Sequence, residues 1–146
     1  MTPDMELALS ARAENIAIVR HALGGFGEAF QVPESKLADI KLAVTEACAN
    51  VVVHAYPGGV EGPMEVLASI DAAELTVLVR DWGGGIRPRS DSPGLGLGLS
   101  LMAALAETVQ LGRDDEEHTE VQMTFALEGA MPSTSEAVPS MNGQPA

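Results

Sequence analysis

Basic residues are scarce in this chain: 8 lysines and arginines stand against 21 aspartates and glutamates, a formal net charge of −13 over 146 residues. Such a field disfavours nucleic acid and anionic membrane surfaces as partners, because phosphate backbones are held by cations. Any phosphate ligand therefore needs a metal ion, backbone amides or a few placed arginines. Cysteine is nearly absent. The single Cys48 excludes an internal disulfide framework and reads as a small core residue. No apolar run approaches the ~20 residues that cross a bilayer. The opening MTPDMELALS also lacks the basic region and apolar stretch of a signal peptide. The expectation is a soluble, cytoplasmic protein. Three scattered histidines make no metal site. The G-x-x-x-x-G-K-S/T pattern of a P-loop is missing, and so is G-x-G-x-x-G, since Leu99 occupies the last glycine's place after Gly94 and Gly96.

What is present suffices for one domain. Aromatics make up 3%, yet 46% of residues are hydrophobic and mean hydropathy is +0.13, enough for a proper core. The composition changes after Glu128, where GAMPSTSEAVPSMNGQPA offers little to bury. This divides the chain into a domain over residues 1–128, holding about −12 of the charge, and a disordered tail over 129–146 with only Glu136 charged. Deleting residues 130–146 is expected to leave folding and ligand binding unchanged; a large drop in melting temperature on truncation would show that the tail packs.

The longest regular pattern runs from Ser35 to about Ala55, with Ser35 a candidate helix cap. Leu37, Ile40, Val44, Cys48 and Val51 recur at helical spacing, within an arc of roughly 80°. Glu46 and Asn50 share a face nearly opposite that stripe, flanked by Leu42, Ala43, Ala49 and Val53. A helix apolar almost all round is buried, and a buried carboxylate and amide need partners. A ligand is the reading adopted here. Before this helix, Met5–Ser10 alternates as a short strand that could pair with its own copy in a homodimer. A first helix follows, capped by Ser10 and ended near Phe26 by Gly24, Gly25 and Gly27. After it, Glu65–Ile70 and Leu75–Arg80 read as strands around a turn at Asp71–Glu74. Leu99–Glu107 reads as a helix, and Val109–Leu111 and Val121–Leu127 as strands flanking the exposed acidic turn RDDEEH. The order β-α-α-β-β-loop-α-β-β predicts an α+β two-layer sandwich, with helices on one face of a mostly antiparallel sheet.

Three segments carry candidate chemistry: Glu46-x-x-x-Asn50, the strand-ending Asp81-Trp82-Gly83-Gly84-Gly85, and Gly94-Leu95-Gly96-Leu97-Gly98 before a helix. Alone, the first has a plain reading as a solvent pair or helix staple and the second as a strand-ending turn. Together they have a physical rationale. Glycines before a helix let backbone N–H groups close on phosphates. Asn50 can offer an amide oxygen to Mg²⁺, which keeps several waters while bridging phosphates. Asp81 can accept a hydrogen bond from an exocyclic amine such as adenine's, with Gly83 and Gly85 letting a flat base approach. Glu46, one turn from Asn50, can orient or deprotonate an attacking hydroxyl.

The combination resembles the superfamily of gyrase, heat-shock chaperone, histidine kinase and mismatch-repair ATPases, with its Bergerat-type fold. Glu46 and Asn50 match its N box, Asp81, Gly83 and Gly85 its first glycine box, and Gly94, Gly96 and Gly98 its second. Thr119 sits where the family has a threonine that helps to hold adenine. Within it, MELALSARAENIAIVR is similar to the amino terminus of the anti-sigma factor serine kinases, including Arg20, which in that group meets the protein partner. The resemblance covers about residues 5–127. It implies ATP and Mg²⁺ as cofactors, Glu46 as base, and a serine/threonine kinase that binds a sigma factor and phosphorylates an anti-anti-sigma regulator. Two departures stand out. Between Ile86 and Gly94 the lid is only RPRSDSP, and Gly94 replaces a phosphate-facing arginine found in some members, a role open to Arg87 or Arg89. These leave a second function open: a nucleotide-binding module that sequesters partners without phosphotransfer.

Overall fold

Period-two alternation of apolar residues builds the sheet. The computed structural model describes residues 2–83, 93–113 and 118–127. Strands β1 (Met5–Ser10), β2 (Pro63–Asp71), β3 (Glu74–Asp81), β4 (Thr108–Arg113) and β5 (Thr119–Ala126) form one sheet in the order β1-β2-β3-β5-β4, with every pair antiparallel. Met64, Val66 and Ala68 of β2, Leu75, Val77 and Val79 of β3, and Val121, Met123 and Phe125 of β5 point to one face and are buried. Three helices cover that face: α1 (Ala13–Ala29), α2 (Glu34–Asn50) and α3 (Pro93–Leu105). The fold is the expected α+β sandwich.

Helix α2 lies at the centre. Of its apolar stripe, Ile40, Val44, Cys48 and Val51 are fully or almost fully buried, and Leu37 is half-buried. Burial pushes the Cys48 thiol up to about 12, so it packs as an inert apolar group. Not every expectation for this helix holds. Leu42 is 45% and Val53 67% exposed, so the flank of Glu46 is apolar without being wholly covered. The helix starts one residue earlier, after Pro33, and Ser35 makes no cap bond. Beyond Asn50 the chain widens into a π-helical turn, Val51–Ala55, before Pro57 stops it.

Helix α1 also departs from the expectation. Arg12, not Ser10, occupies its N-cap, and Ser10 contributes its carbonyl, which accepts a bond from Asn15 Nδ2 at 2.8 Å. The helix continues through Gly24, Gly25 and Gly27 to Ala29. Gly27 has a packing reason: a Cβ there would lie 2.6 Å from Leu37 Cδ2 of α2, so glycine lets the two helices touch. Helix α3 begins at Pro93, earlier than Leu99, and ends at Leu105, so Gly94, Gly96 and Gly98 lie within it. The β2–β3 hairpin turns on Ala72 and Ala73 at φ 52° and 66°, the left-handed backbone that such a two-residue connection needs. Strand β1 is an edge of the sheet, as expected of an exposed strand. Gly85, Arg87, Arg89, most of the lid, the acidic turn at 114–117 and the tail lie outside the described residues.

Candidate functional site

At one end of the sheet, pairing brings together residues far apart in sequence. The β3–β5 register sets Asp81 directly opposite Thr119. Thr119 Oγ1 donates to Asp81 Oδ1 at 3.0 Å, and the Gly83 backbone N–H donates to the same oxygen, also at 3.0 Å. The second of these is an Asx turn, in which aspartate holds the backbone two residues on. Asp81 is 2% and Thr119 8% exposed. Burial holds the Asp81 carboxyl above its ordinary range, opposed by the bonds from Gly83 and Thr119 and by the charges of Arg113 and His118. Among the described residues no donor is paired with Oδ2, so this carboxylate keeps an acceptor for a ligand amine.

On the helical side, α3 crosses α2 at Gly98. A Cβ on Gly98 would lie 3.0 Å from Asn50 Nδ2 and 3.5 Å from both Asn50 Oδ1 and Glu46 Oε1. Glycine at this point leaves room for the two polar side chains between the helices. Asn50 is 6% exposed, and its Nδ2 is buried with no hydrogen-bond partner among the described residues. A buried orphan amide costs about 1–3 kcal/mol unless something binds it. An asparagine turned about χ2 exchanges its nitrogen and oxygen, so this amide can present either atom to a ligand. No group of three acidic, His or Cys side chains could cage a metal among the described residues. One amide oxygen beside phosphates suits Mg²⁺, which takes few protein ligands. Gly94 and Gly96 lie in the first turn of α3, which leaves its N–H groups without intrahelical acceptors.

The two ends are joined by the π-helical turn. A Cβ on Gly83 would overlap the Ala55 carbonyl, so glycine is required there by the docked end of α2. Sequence reasoning assigned that glycine to the approach of a base; the contact on its Cβ side is with the protein itself. Next to Ala55, Tyr56 accepts a hydrogen bond from the Trp82 N–H at 2.8 Å and donates to the Pro63 carbonyl at 2.6 Å. Burial raises the Tyr56 phenol above its ordinary value, the Trp82 bond lowers it, and the Asp81 charge raises it. The phenol therefore stays protonated at neutral pH and can donate.

Tyr56 carried no role in the sequence reading, and nothing in its immediate neighbours announces one. Thr45, one position before Glu46, was also passed over; its buried Oγ1 has no partner among the described residues. Trp82 is 39% exposed, with its ring 5.8 Å from that of His118, at the rim beside Asp81. Arg20 is elsewhere. It is exposed on α1 and lines a groove with Leu37, Lys41, Leu42 and Thr45 of α2. His54 is exposed at the end of the Glu46–Asn50 row.

Comparison with known proteins adds three findings. A family model described as the histidine kinase-like ATPase domain matches residues 9–125. The chain is 28% identical over 126 residues to the serine-protein kinase RsbW of Bacillus thuringiensis (strain Al Hakam), covering 76% of this chain and 78% of that one. The RsbW of Bacillus anthracis (strain A0248) matches to the same extent. Among solved structures, the RsbU and RsbW domains of Rv1364c from Mycobacterium tuberculosis superpose with TM-score 0.68 at 22% identity, over 86% of this chain and 32% of that one. The blue-light activated histidine kinase EL346 of Erythrobacter litoralis gives TM-score 0.55 at 26% identity, over 68% of this chain and 33% of that one. This chain thus corresponds to about a third of each of those longer chains, and the likeness to the first is one of fold.

Proposed function

This chain belongs to the histidine kinase-like ATPase domain family, and from that premise we propose that it is an ATP-dependent serine/threonine protein kinase. Its protein substrate is an anti-anti-sigma regulator, and it also binds a sigma factor. The single observation that carries the nucleotide part is that Asp81, which accepts its bonds at one oxygen, and Asn50, whose buried Nδ2 has no partner among the described residues, both lie beside the docked end of the long helix.

Each residue then has a task. Asp81 Oδ2 accepts from the base amine while Thr119 and Gly83 fix the carboxylate. Asn50 would hold the metal, and the N–H groups at the first turn of α3, those of Gly94 and Gly96 among them, would bind the phosphates. A Mg²⁺ ion held there would supply positive charge against the phosphates. Glu46 accepts the proton of the attacking serine or threonine hydroxyl as its oxygen bonds to the γ-phosphorus, the bond from that phosphorus to the β–γ bridging oxygen breaks, and ADP leaves. The kinase assignment is supported by the two relatives named serine-protein kinase, at 28% identity. No helix is long and apolar enough to cross a membrane among the described residues. The net charge of −13 favours protein partners over nucleic acid.

The direct test is incubation with labelled ATP, Mg²⁺ and candidate regulators from the same organism. Labelled regulator is expected. A protein that binds nucleotide and regulator yet transfers nothing would be the sequestering module instead, with the short RPRSDSP lid as the suspected reason. The partner surface has its own test. Arg20→Ala should weaken partner binding about 10-fold or more, the range of an arginine at an interface centre, while ADP affinity stays constant. Unchanged partner affinity in a pull-down titration would remove Arg20 from that surface.

A further inference from the structure

The chain's single tyrosine sits where the two halves of the site meet, and its contacts have a geometric logic. In the β2–β3 ladder the last pair is Met64 opposite Asp81. One step further, the same register sets Pro63 opposite Trp82. Proline has no N–H, so that step can form only one ladder bond, from the Trp82 N–H to the Pro63 carbonyl. Those two groups are the ones that Tyr56 takes: its oxygen accepts from Trp82 N–H at 2.8 Å, and its O–H donates to the Pro63 carbonyl at 2.6 Å. The phenol stands between two backbones that would otherwise close on each other. Two glycines make room for it. A Cβ on Gly62 would overlap the Tyr56 ring, and one on Gly83 would lie 2.8 Å from Tyr56 Cδ1.

We propose that Tyr56 is a positioning residue of the nucleotide site: its hydroxyl wedges open the end of the β2–β3 ladder and sets where Asp81 and Gly83 meet the base. The inference rests on the nucleotide reading above. Trp82 lies between Asp81 and Gly83, and both of those take part in the Asx turn that aims the carboxylate. A fixed Trp82 N–H therefore fixes the peptide planes on either side of it. Because Tyr56 follows the turn that ends α2, the wedge also ties the base end to the helix that carries Asn50 and Glu46. Without the hydroxyl, the Trp82 N–H loses its acceptor. The Asp81–Gly83 segment is then no longer held in place against β2. The ring alone does not prevent this, since it has no acceptor to offer.

Tyr56→Phe isolates the hydroxyl, because it keeps the ring that fills the spaces at Gly62 and Gly83. Two measurements on the full chain test the proposal. The first is titration with Mg²⁺-ADP and Mg²⁺-GDP, followed by the fluorescence of Trp82, the chain's single tryptophan. ADP affinity should fall about 10-fold, the range for a mispositioned charged hydrogen bond, with GDP affinity unchanged, since guanine presents no matching amine to Asp81. The second is amide exchange at Trp82 without nucleotide, which should quicken about fivefold or more as the N–H loses its acceptor. Unchanged ADP affinity overturns the proposal, and so does an equal loss for ADP and GDP, which is what general loosening would give. Wild-type protein that binds neither nucleotide would overturn the nucleotide reading. The exchange rate at Trp82 would still decide whether the wedge holds that strand end.

Discussion

Asp81→Asn is expected to lower ADP and ATP affinity by about 10- to 100-fold, the loss of one hydrogen bond to a charged acceptor, without loss of fold. Asparagine keeps an oxygen that can accept from Thr119 and from the Gly83 N–H, so the local turn survives. What changes is the other position, where an acceptor facing the base amine becomes a donor. Stability should move the opposite way from affinity. The Asp81 carboxyl is held above its ordinary value, chiefly by burial. Stability from such a group is fully present below its unfolded pKa of about 3.9 and is lost as pH rises through the folded value. At neutral pH the ionised carboxylate therefore opposes folding, and the uncharged variant escapes that cost. Melting curves without nucleotide should show the variant at least as stable as wild type at pH 7, with its advantage shrinking as the pH is lowered. Saturating ADP should then raise the wild-type melting temperature much more than the variant's. Equal stabilisation of both proteins would remove Asp81 from the base site.

Glu46 separates a kinase from a sequestering module. Glu46→Gln keeps the size and one accepting oxygen but removes the ionisable base. Turnover should fall by about 10²–10⁴, the usual worth of a positioned acid–base group. Nucleotide affinity should change little, because the proposed phosphate contacts are those of Asn50 and the start of α3. Asn50→Ala should behave differently, lowering magnesium-dependent binding as well as turnover. Its effect on the fold is predicted to be small, since the Nδ2 it removes makes no bond among the described residues. A regulator phosphorylated at the wild-type rate by Glu46→Gln would sink the base assignment. Loss of turnover in Asn50→Ala with unchanged Mg²⁺-ADP affinity would move the metal away from Asn50.

Much of the architecture was legible because its signals are local. A period of two marked β1, runs of apolar residues around the Asp71–Glu74 turn marked β2 and β3, and the spacing of Ile40, Val44, Cys48 and Val51 marked the buried side of α2. All three are written in consecutive residues and need no partner to be read. The glycines misled for the same reason. Gly24, Gly25 and Gly27 lower helix propensity by about 1 kcal/mol each against alanine, so they read as an end. The close approach of Leu37 needs a glycine at Gly27, and all three lie within α1. Helix α3 begins at Pro93 through a glycine-rich stretch whose propensity alone points to a loop. Packing against α2, with Gly98 set beside Asn50 and Glu46, is a gain that no propensity contains.

By itself the sequence determined the α+β class, the element order, the strongly acidic field, and the residue types from which a site could be made. Those follow from composition and short-range pattern, which survive whatever the chain does at a distance. Only the tertiary structure decided which of those residues meet. Thr119 reaches Asp81 across 38 positions because β5 pairs with β3 and not with β2. Gly83 is bound to be glycine because the Ala55 carbonyl lies where its Cβ would be. Tyr56 matters because the register leaves one N–H and one carbonyl facing each other at its hydroxyl. Register and helix docking are set by the whole core at once, since a one-residue slip would turn every apolar side chain of a strand to the wrong face.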